Sequence, residues 1–532
     1  MPRTVLKRGP VRWERIRREA EQRFAVTEFR PGQRELIECV MRGQDALGIL
    51  PTGAGKSLCY QLPALFLEGV VVVVSPLIAL MKDQHERLDE IKIDAARLDS
   101  TVNKGKQAQH ERAMINGEKE VVLLTPERLQ AVEHLEPLKR RGVALFVVDE
   151  AHCVSHWGHD FRPAYLELRA VIKQLGRPPV LALTATAPPN RIQEILHNLG
   201  MRDARVVRDG VERGNLFLEV YRTVNRAEKE QRLEQVLRET DGVGILYVST
   251  IRRVDEIHAW LVERGVEAVR YHGRLTANER NAAQDTFMSG RCRIMVATNA
   301  FGLGIDKADV RFVAHWNYPD SIESYYQEAG RAGRDGQPAR CVLFYRLEDK
   351  RLRSFFLGGK HPRSEDALRL LRALSVEPAA STGTSVSALV RECGFSERRV
   401  RVLLSVLEAM NVVIRQGTRR RLQRRMNEAD AKLFVSKLDG RYEADQERLR
   451  AMMHYGEMVT CRFQYMREYF GEPRGSACGH CDNCRDAPQT AQTSSSPNRR
   501  PHAVERQPQA EGQTGRQLNR TIGASSMYRM KK

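Results

Sequence analysis

Two α/β domains on parallel sheets, then a winged-helix-like helical segment and a small cysteine-stapled module, are the fold that the sequence predicts. Three observations carry this reading. Short strands apolar on both faces recur in two series, alternating with helical patterns; three helices and a basic hairpin follow; and four cysteines crowd between Cys461 and Cys484. Strands without a polar face belong to parallel sheets covered by helices on both sides.

The first series reads "DALGILPTG", "GVVVVVSPL", "VVLLTPE", "ALFVVDE" and "VLALTATA", and the second "GILYVST", "RIMVATN", "VRFVAHW" and "CVLFY". The two meet near Glu212–Leu218, so a first domain is expected over 1–211 and a second over 212–350. The unusual residues (PTGAGKS, SPL, TPE, DE and TAT) come directly after apolar strands. Ligands of open α/β sheets bind at the carboxyl ends of the strands, so these segments should converge on one edge, facing a cleft.

Beyond Tyr345, "SEDALRLLRAL", "SVSALVRECG" and "SERRVRVLLSVLEAMNVV" predict three helices, the third capped by Ser396. "VVIRQGTRRRLQRR" predicts a basic hairpin turning at Gly417, which completes a winged-helix-like segment over 360–425. A helical stretch leads into the cysteine module, 430–486, and residues 487–532 are Gln-, Ser- and Pro-rich without periodicity, a composition that predicts a disordered tail open to a protein partner.

At 532 residues the chain is too long for one core. No apolar run approaches the ~20 residues of a membrane span, and the N-terminal segment lacks a secretory core, so a cytoplasmic protein is expected, nucleoid-associated in a bacterium. The net charge of +19 favours a polyanionic partner, since each neutralised phosphate releases counterions.

"LPTGAGKS" has Leu50 where the usual phosphate loop starts with Gly, but the working parts are present. Around Thr52 and Ala54, Gly53 and Gly55 let backbone N–H groups approach phosphates; Lys56 can reach the β and γ groups of a nucleoside triphosphate such as ATP; Ser57 can ligate Mg²⁺. Asp149 can hold the Mg²⁺ shell, and Glu150 can orient and deprotonate the attacking water. His152, Cys153, His156 and His159 lack the tight spacing of a closed metal site. Gln327, Arg331 and Arg334, spaced i, i+4, i+7, would share one helical face and present arginine fingers to a γ-phosphate. Cys461, Cys478, Cys481 and Cys484 supply four thiolates suited to tetrahedral Zn²⁺. An iron–sulfur cluster is the alternative, although the chain lacks the fourth Cys-Pro of a ferredoxin run.

In order, "FRPGQRELI", "PTGAGKSLCYQLP", "SPLIALMKDQ", "TPERL", "DEAH", "LTATA", "VATNAFGLGIDK" and "YYQEAGRAGRDG" resemble the motifs of superfamily 2 helicases of the RecQ family. The resemblance covers Phe29 to Tyr345 and resumes at the cysteines. It implies two RecA-like lobes, ATP-dependent 3′-to-5′ unwinding of DNA from single-stranded or partial-duplex substrates, and a role in DNA repair, recombination or replication. It further implies that Arg30 and Gln33 read adenine, although Val26 stands where the family often carries a stacking ring and Phe24 is the nearest aromatic. Gly304 and Asp306 would couple nucleotide and DNA contacts, and His152 would link Glu150 to the TAT segment. "SHWGHDFRPAY" is similar to the family's aromatic-rich loop. Trp157 and Phe161 would stack on bases and Arg162 would meet phosphate, so that a bound strand could shift Glu150 and His152 into alignment. In many relatives the zinc module precedes the winged helix, whereas here the winged-helix-like segment comes first, and the hairpin around Arg415 to Arg421 is the candidate strand-separating pin.

Overall fold

Val70–Val74, five valines with every side chain buried, run through the interior of the first sheet and show why the apolar runs become parallel strands. The computed structural model describes residues 13–486 apart from 77, 100–103, 131, 155–162, 303–306, 352–363, 377–381, 417–418 and 425–427. The predicted tail, 487–532, lies outside the described residues.

Seven strands form the first sheet: β1 (Ala46–Ile49), β2 (Val70–Val74), β3 (Ala95–Leu98), β4 (Val121–Leu124), β5 (Val143–Val148), β6 (Val180–Thr184) and β7 (Arg205–Arg208). Their order is β3-β4-β2-β5-β6-β1-β7, and every pair is parallel. Ile49 pairs with Thr184, and Val74 with both Leu124 and Val148. The register therefore brings the segments after β1, β2, β4, β5 and β6 to one edge. Phe24 and Val26 pack into a small cluster with Leu58 and Leu62, behind the turn that follows β1.

The second sheet comprises β8 (Leu216–Arg222), β9 (Val243–Tyr247), β10 (Ala268–Tyr271), β11 (Ile294–Ala297), β12 (Val310–His315) and β13 (Ala339–Tyr345). It is also parallel throughout, in the order β10-β11-β9-β12-β13-β8.

Helix Ser364–Ser375, strand β14 (Thr384–Ser385), helices Val386–Cys393 and Glu397–Ala409, and strands β15 (Val413–Gln416) and β16 (Arg419–Leu422) follow in winged-helix order. The strands form an antiparallel sheet, β14-β16-β15, and Arg399 N donates to the capping Ser396 Oγ at 3.3 Å. Leu370, Leu389, Leu403 and Leu407 make its core, joined by Phe434 from the 30-residue helix Glu428–Glu457. Two of the hairpin's arginines turn to carboxylates: Arg415 to Glu167 of the first lobe, and Arg420 to Glu408.

The cysteine module has no core of its own. Leu449, Tyr455, Phe463, Phe470 and Cys481 belong to one cluster with Leu218, Tyr325 and Tyr345 of the second lobe. The seam is also polar: Leu218 bridges Cys481, Val220 N donates to Asp482 Oδ2 at 2.8 Å, and buried Arg462 pairs with Asp482 at 2.5 and 2.8 Å. The module thus covers β8, the edge strand whose free backbone groups would otherwise invite pairing with another chain. Among the described residues, no helix is long and apolar enough to cross a membrane.

Candidate functional site

After β1 the chain turns sharply through Gly53 (φ +85°) and Gly55 (φ +71°) before helix Leu58–Ala64 begins. Lys56 folds back over this loop, its Nζ donating to Leu50 O at 3.3 Å and Pro51 O at 3.4 Å. Burial pushes the Lys56 pKa down, and the carboxylates of Glu150 and Asp149 oppose that push. Gln33 Nε2 donates to Ala54 O and Gly55 O at 2.9 and 3.0 Å, and Arg30 bonds Gly53 O. In this structure the two residues assigned to adenine end on the carbonyls of the phosphate loop.

Asp149 and Glu150 leave the end of β5. Asp149 is buried, and its pKa is raised to about 6, chiefly by that burial and then by Glu150, against the pull of Lys56 and a hydrogen bond from Gln84. Glu150 holds a left-handed backbone (φ 48°), a conformation that costs a residue with a side chain about 1–2 kcal/mol. His152 Nδ1 lies 3.2 Å from Glu150 Oε2 and 3.0 Å from Thr184 Oγ1, and Thr184 Oγ1 donates to Thr186 O at 3.1 Å. A polar chain therefore runs from Glu150 through His152 to the segment after β6. Burial alone would keep His152 neutral, but Cys153 and Glu150 carry its pKa up to about 10.

The second lobe faces this edge with Gln327, on helix Ile322–Ala329, and with Arg331 and Arg334. One cleft is lined by Thr52, Lys56, Ser57, Asp149 and Glu150 from the first lobe and by Gln327, Arg331 and Arg334 from the second. The expectation that all three second-lobe residues share a helical face is corrected: the helix ends at Ala329, and both arginines stand on the turns beyond it. The cause is local. Gly330 caps the helix in a right-handed conformation, and Gly333 turns the chain beyond it with φ +55°. Gln327 is buried, and its Nε2 has no hydrogen-bond partner among the described residues.

Asp83, Gln84 and Arg87 of helix Ile78–Glu90 also line the cleft. They fall within the quoted "SPLIALMKDQ" stretch and just beyond it, and their i, i+1, i+4 spacing is the signal that could have singled them out. Gly304 and Asp306, the aromatics Trp157 and Phe161, and Arg162 lie outside the described residues. One flank of the aromatic segment is tied to the site, Tyr165 Oη donating to Asp149 O at 3.1 Å, and the other to helix Pro189–Leu199, Asn198 Nδ2 donating to Val154 O at 3.3 Å.

The sulfurs of Cys461, Cys478, Cys481 and Cys484 all lie within 4.8 Å of one another, with Cys478 Sγ and Cys484 Sγ 3.9 Å apart. Tetrahedral zinc with ~2.3 Å bonds to sulfur needs an S–S edge of about 3.8 Å, so the cluster fits Zn²⁺ with little movement. A hydrogen bond from Cys478 draws the Cys481 thiol below its ordinary range, toward the thiolate that a metal requires.

Comparison with known proteins agrees with this arrangement. Residues 30–195 match the DEAD/DEAH box helicase family, residues 228–336 the helicase conserved C-terminal domain, and residues 419–485 the RecQ zinc-binding family. The chain is 34% identical over 465 residues to the ATP-dependent DNA helicase RecQ of Bacillus subtilis, spanning 87% of this chain and 66% of that protein. It is 39% identical over 355 residues to the probable ATP-dependent DNA helicase RecS of the same organism, spanning 66% of this chain and 71% of that one. In fold it resembles the Mycobacterium smegmatis helicase Lhr bound to single-stranded DNA and AMP-PNP, with a TM-score of 0.53 at 21% identity over 79% of this chain and 61% of that chain. Two helicase-family lobes in order, a four-cysteine module of RecQ type fused to the second, and identity sustained across both place the chain in the RecQ family of ATP-dependent DNA helicases.

Proposed function

We propose that this chain couples ATP hydrolysis, stimulated by single-stranded DNA, to 3′-to-5′ unwinding of duplex DNA in repair, recombination or replication. The observation that carries this reading is the single cleft shared by Lys56, Asp149 and Glu150 of one lobe and Gln327, Arg331 and Arg334 of the other.

Lys56 and the N–H groups from Thr52 to Ser57 grip the β and γ phosphates of ATP, and Arg30 and Gln33, seated on the loop carbonyls, tie adenine recognition to the loop's shape. Ser57 and Asp149 suit Mg²⁺, which when bound neutralises phosphate charge. Glu150 accepts the proton of the attacking water while His152 holds its carboxylate in place. Gln327, Arg331 and Arg334 meet the charge that develops on the transferred group, a class of contact worth about 10³–10⁵ in rate. Bases stacking on Trp157 and Phe161, with Arg162 on phosphate, act on Glu150 through the Tyr165 bond to the neighbouring Asp149 carbonyl; Gly304 and Asp306 carry the coupling from the second lobe. Cys461, Cys478, Cys481 and Cys484 would hold Zn²⁺, which would fix the module beside β8.

Strand displacement tests the proposal directly. A DNA duplex with a 3′ single-stranded tail should separate in the presence of ATP, and 5′-tailed and all-RNA duplexes should not. ATP hydrolysis without separation of any DNA duplex would replace helicase by translocase; separation of RNA alone would make it an RNA helicase.

A further inference from the structure

The turn that displays Arg331 and Arg334 is held by a residue more than a hundred positions earlier. Arg213, in the segment joining the two lobes, donates from Nη1 to Gly330 O at 2.9 Å and from Nη2 to Gly333 O at 2.5 Å. These carbonyls immediately precede the two arginines. Asn215 adds a second grip, its Nδ2 donating to Gly333 O and Gln337 O, each at 2.8 Å. Gly333 is shaped for this contact: a Cβ built there would stand 2.5 Å from Asn215 Nδ2.

Arg213 is itself fixed. Tyr326 Oη donates to Val211 O at 2.9 Å, and Val211 N donates to Glu472 of the cysteine module at 3.1 Å. The joining segment is thereby clamped between the second lobe and the module. The carbonyls at the end of a helix have no partner within the helix, so a turn following one is free to move unless something outside binds them. A planar guanidinium spanning two such carbonyls fixes both the position and the orientation of the turn.

We infer that Arg213, assisted by Asn215, is a positioning residue for the arginine fingers: it stands outside the lining of the nucleotide cleft, and it sets where Arg331 and Arg334 stand when the lobes close. The inference rests on the reading of those arginines as fingers. A displacement of reacting groups by about 1 Å costs on the order of 10² in rate, which sets the size of the expected effect.

The test is steady-state ATP hydrolysis by the full chain with saturating single-stranded DNA, together with fluorescent ADP affinity and melting temperature. Arg213→Ala should lower kcat about 10²-fold with little change in KM or ADP affinity. Arg213→Lys, which keeps the charge but not the fork, should recover only part of it, and Asn215→Ala should show a smaller loss of the same kind. The Arg213→Ala penalty should shrink in an Arg331→Ala background, because one of the positioned groups is already gone. Should Arg331→Ala leave turnover intact, the finger reading itself falls. If Arg331→Ala cripples turnover while the Arg213 and Asn215 variants do not, or if the penalties multiply in full, the positioning inference is overturned. Should Arg213→Ala fold poorly, Arg213→Lys and Asn215→Ala carry the same comparison.

Discussion

Gly53 of the phosphate loop lies against the side chain of Arg334 from the opposite lobe: a Cβ added to Gly53 would stand 3.1 Å from Arg334 Cγ. The proposed phosphate loop and the proposed arginine finger are therefore already close across the cleft.

Gly53→Ala should be costly for two reasons, crowding against Arg334 and a φ of +85° that side chains disfavour by about 1–2 kcal/mol. ATP affinity should fall roughly 5- to 30-fold as the loop relaxes. Fluorescent nucleotide titration measures this, and unchanged affinity would show that the contact does not constrain the loop.

Glu150→Gln keeps the size of the side chain and removes its basicity. Turnover should drop about 10²–10⁴-fold, the usual contribution of a general base, while ATP binding stays near that of the parent. Equal turnover would remove Glu150 from the proton-accepting role.

Cys481→Ser removes one thiolate beside the backbone that bridges Leu218. Metal analysis of the parent should find about one zinc per chain, and the variant should lose it. Its melting temperature should fall, with earlier aggregation as β8 is uncovered. A brown parent absorbing visible light would assign iron instead.

The hairpin of β15 and β16 is the candidate pin, and it stands against Glu167, shortly after the aromatic segment. Removing its turn should spare DNA-stimulated ATP hydrolysis and reduce duplex separation. Undiminished separation would dismiss the hairpin.

The fold was legible because its signals are local. Val70–Val74 and the polar turns after each strand declare a parallel sheet and its ligand edge with no knowledge of tertiary contacts. Ser396 and the basic run after it likewise announce a helix start and a hairpin. Periodicity sees i, i+4, i+7 but not the end of the helix at Ala329, which puts both arginines on the turns beyond it. Arg213 was missed for a related reason: its meaning lies in carbonyls 117 and 120 residues away. The union of the cysteine module with the second lobe was hidden too, since it depends on Tyr455 meeting Tyr325 and on Asp482 meeting Val220.

Coupling between a threaded strand and the hydrolytic carboxylates is the centre of the proposed mechanism, and turnover by the parent and by Trp157→Ala, with and without single-stranded DNA, tests it most directly. The expected result is strong stimulation of the parent, about tenfold or more given stacking energies of 1–3 kcal/mol per base, and loss of most of it in Trp157→Ala with nucleotide affinity preserved. Full stimulation of Trp157→Ala would contradict it.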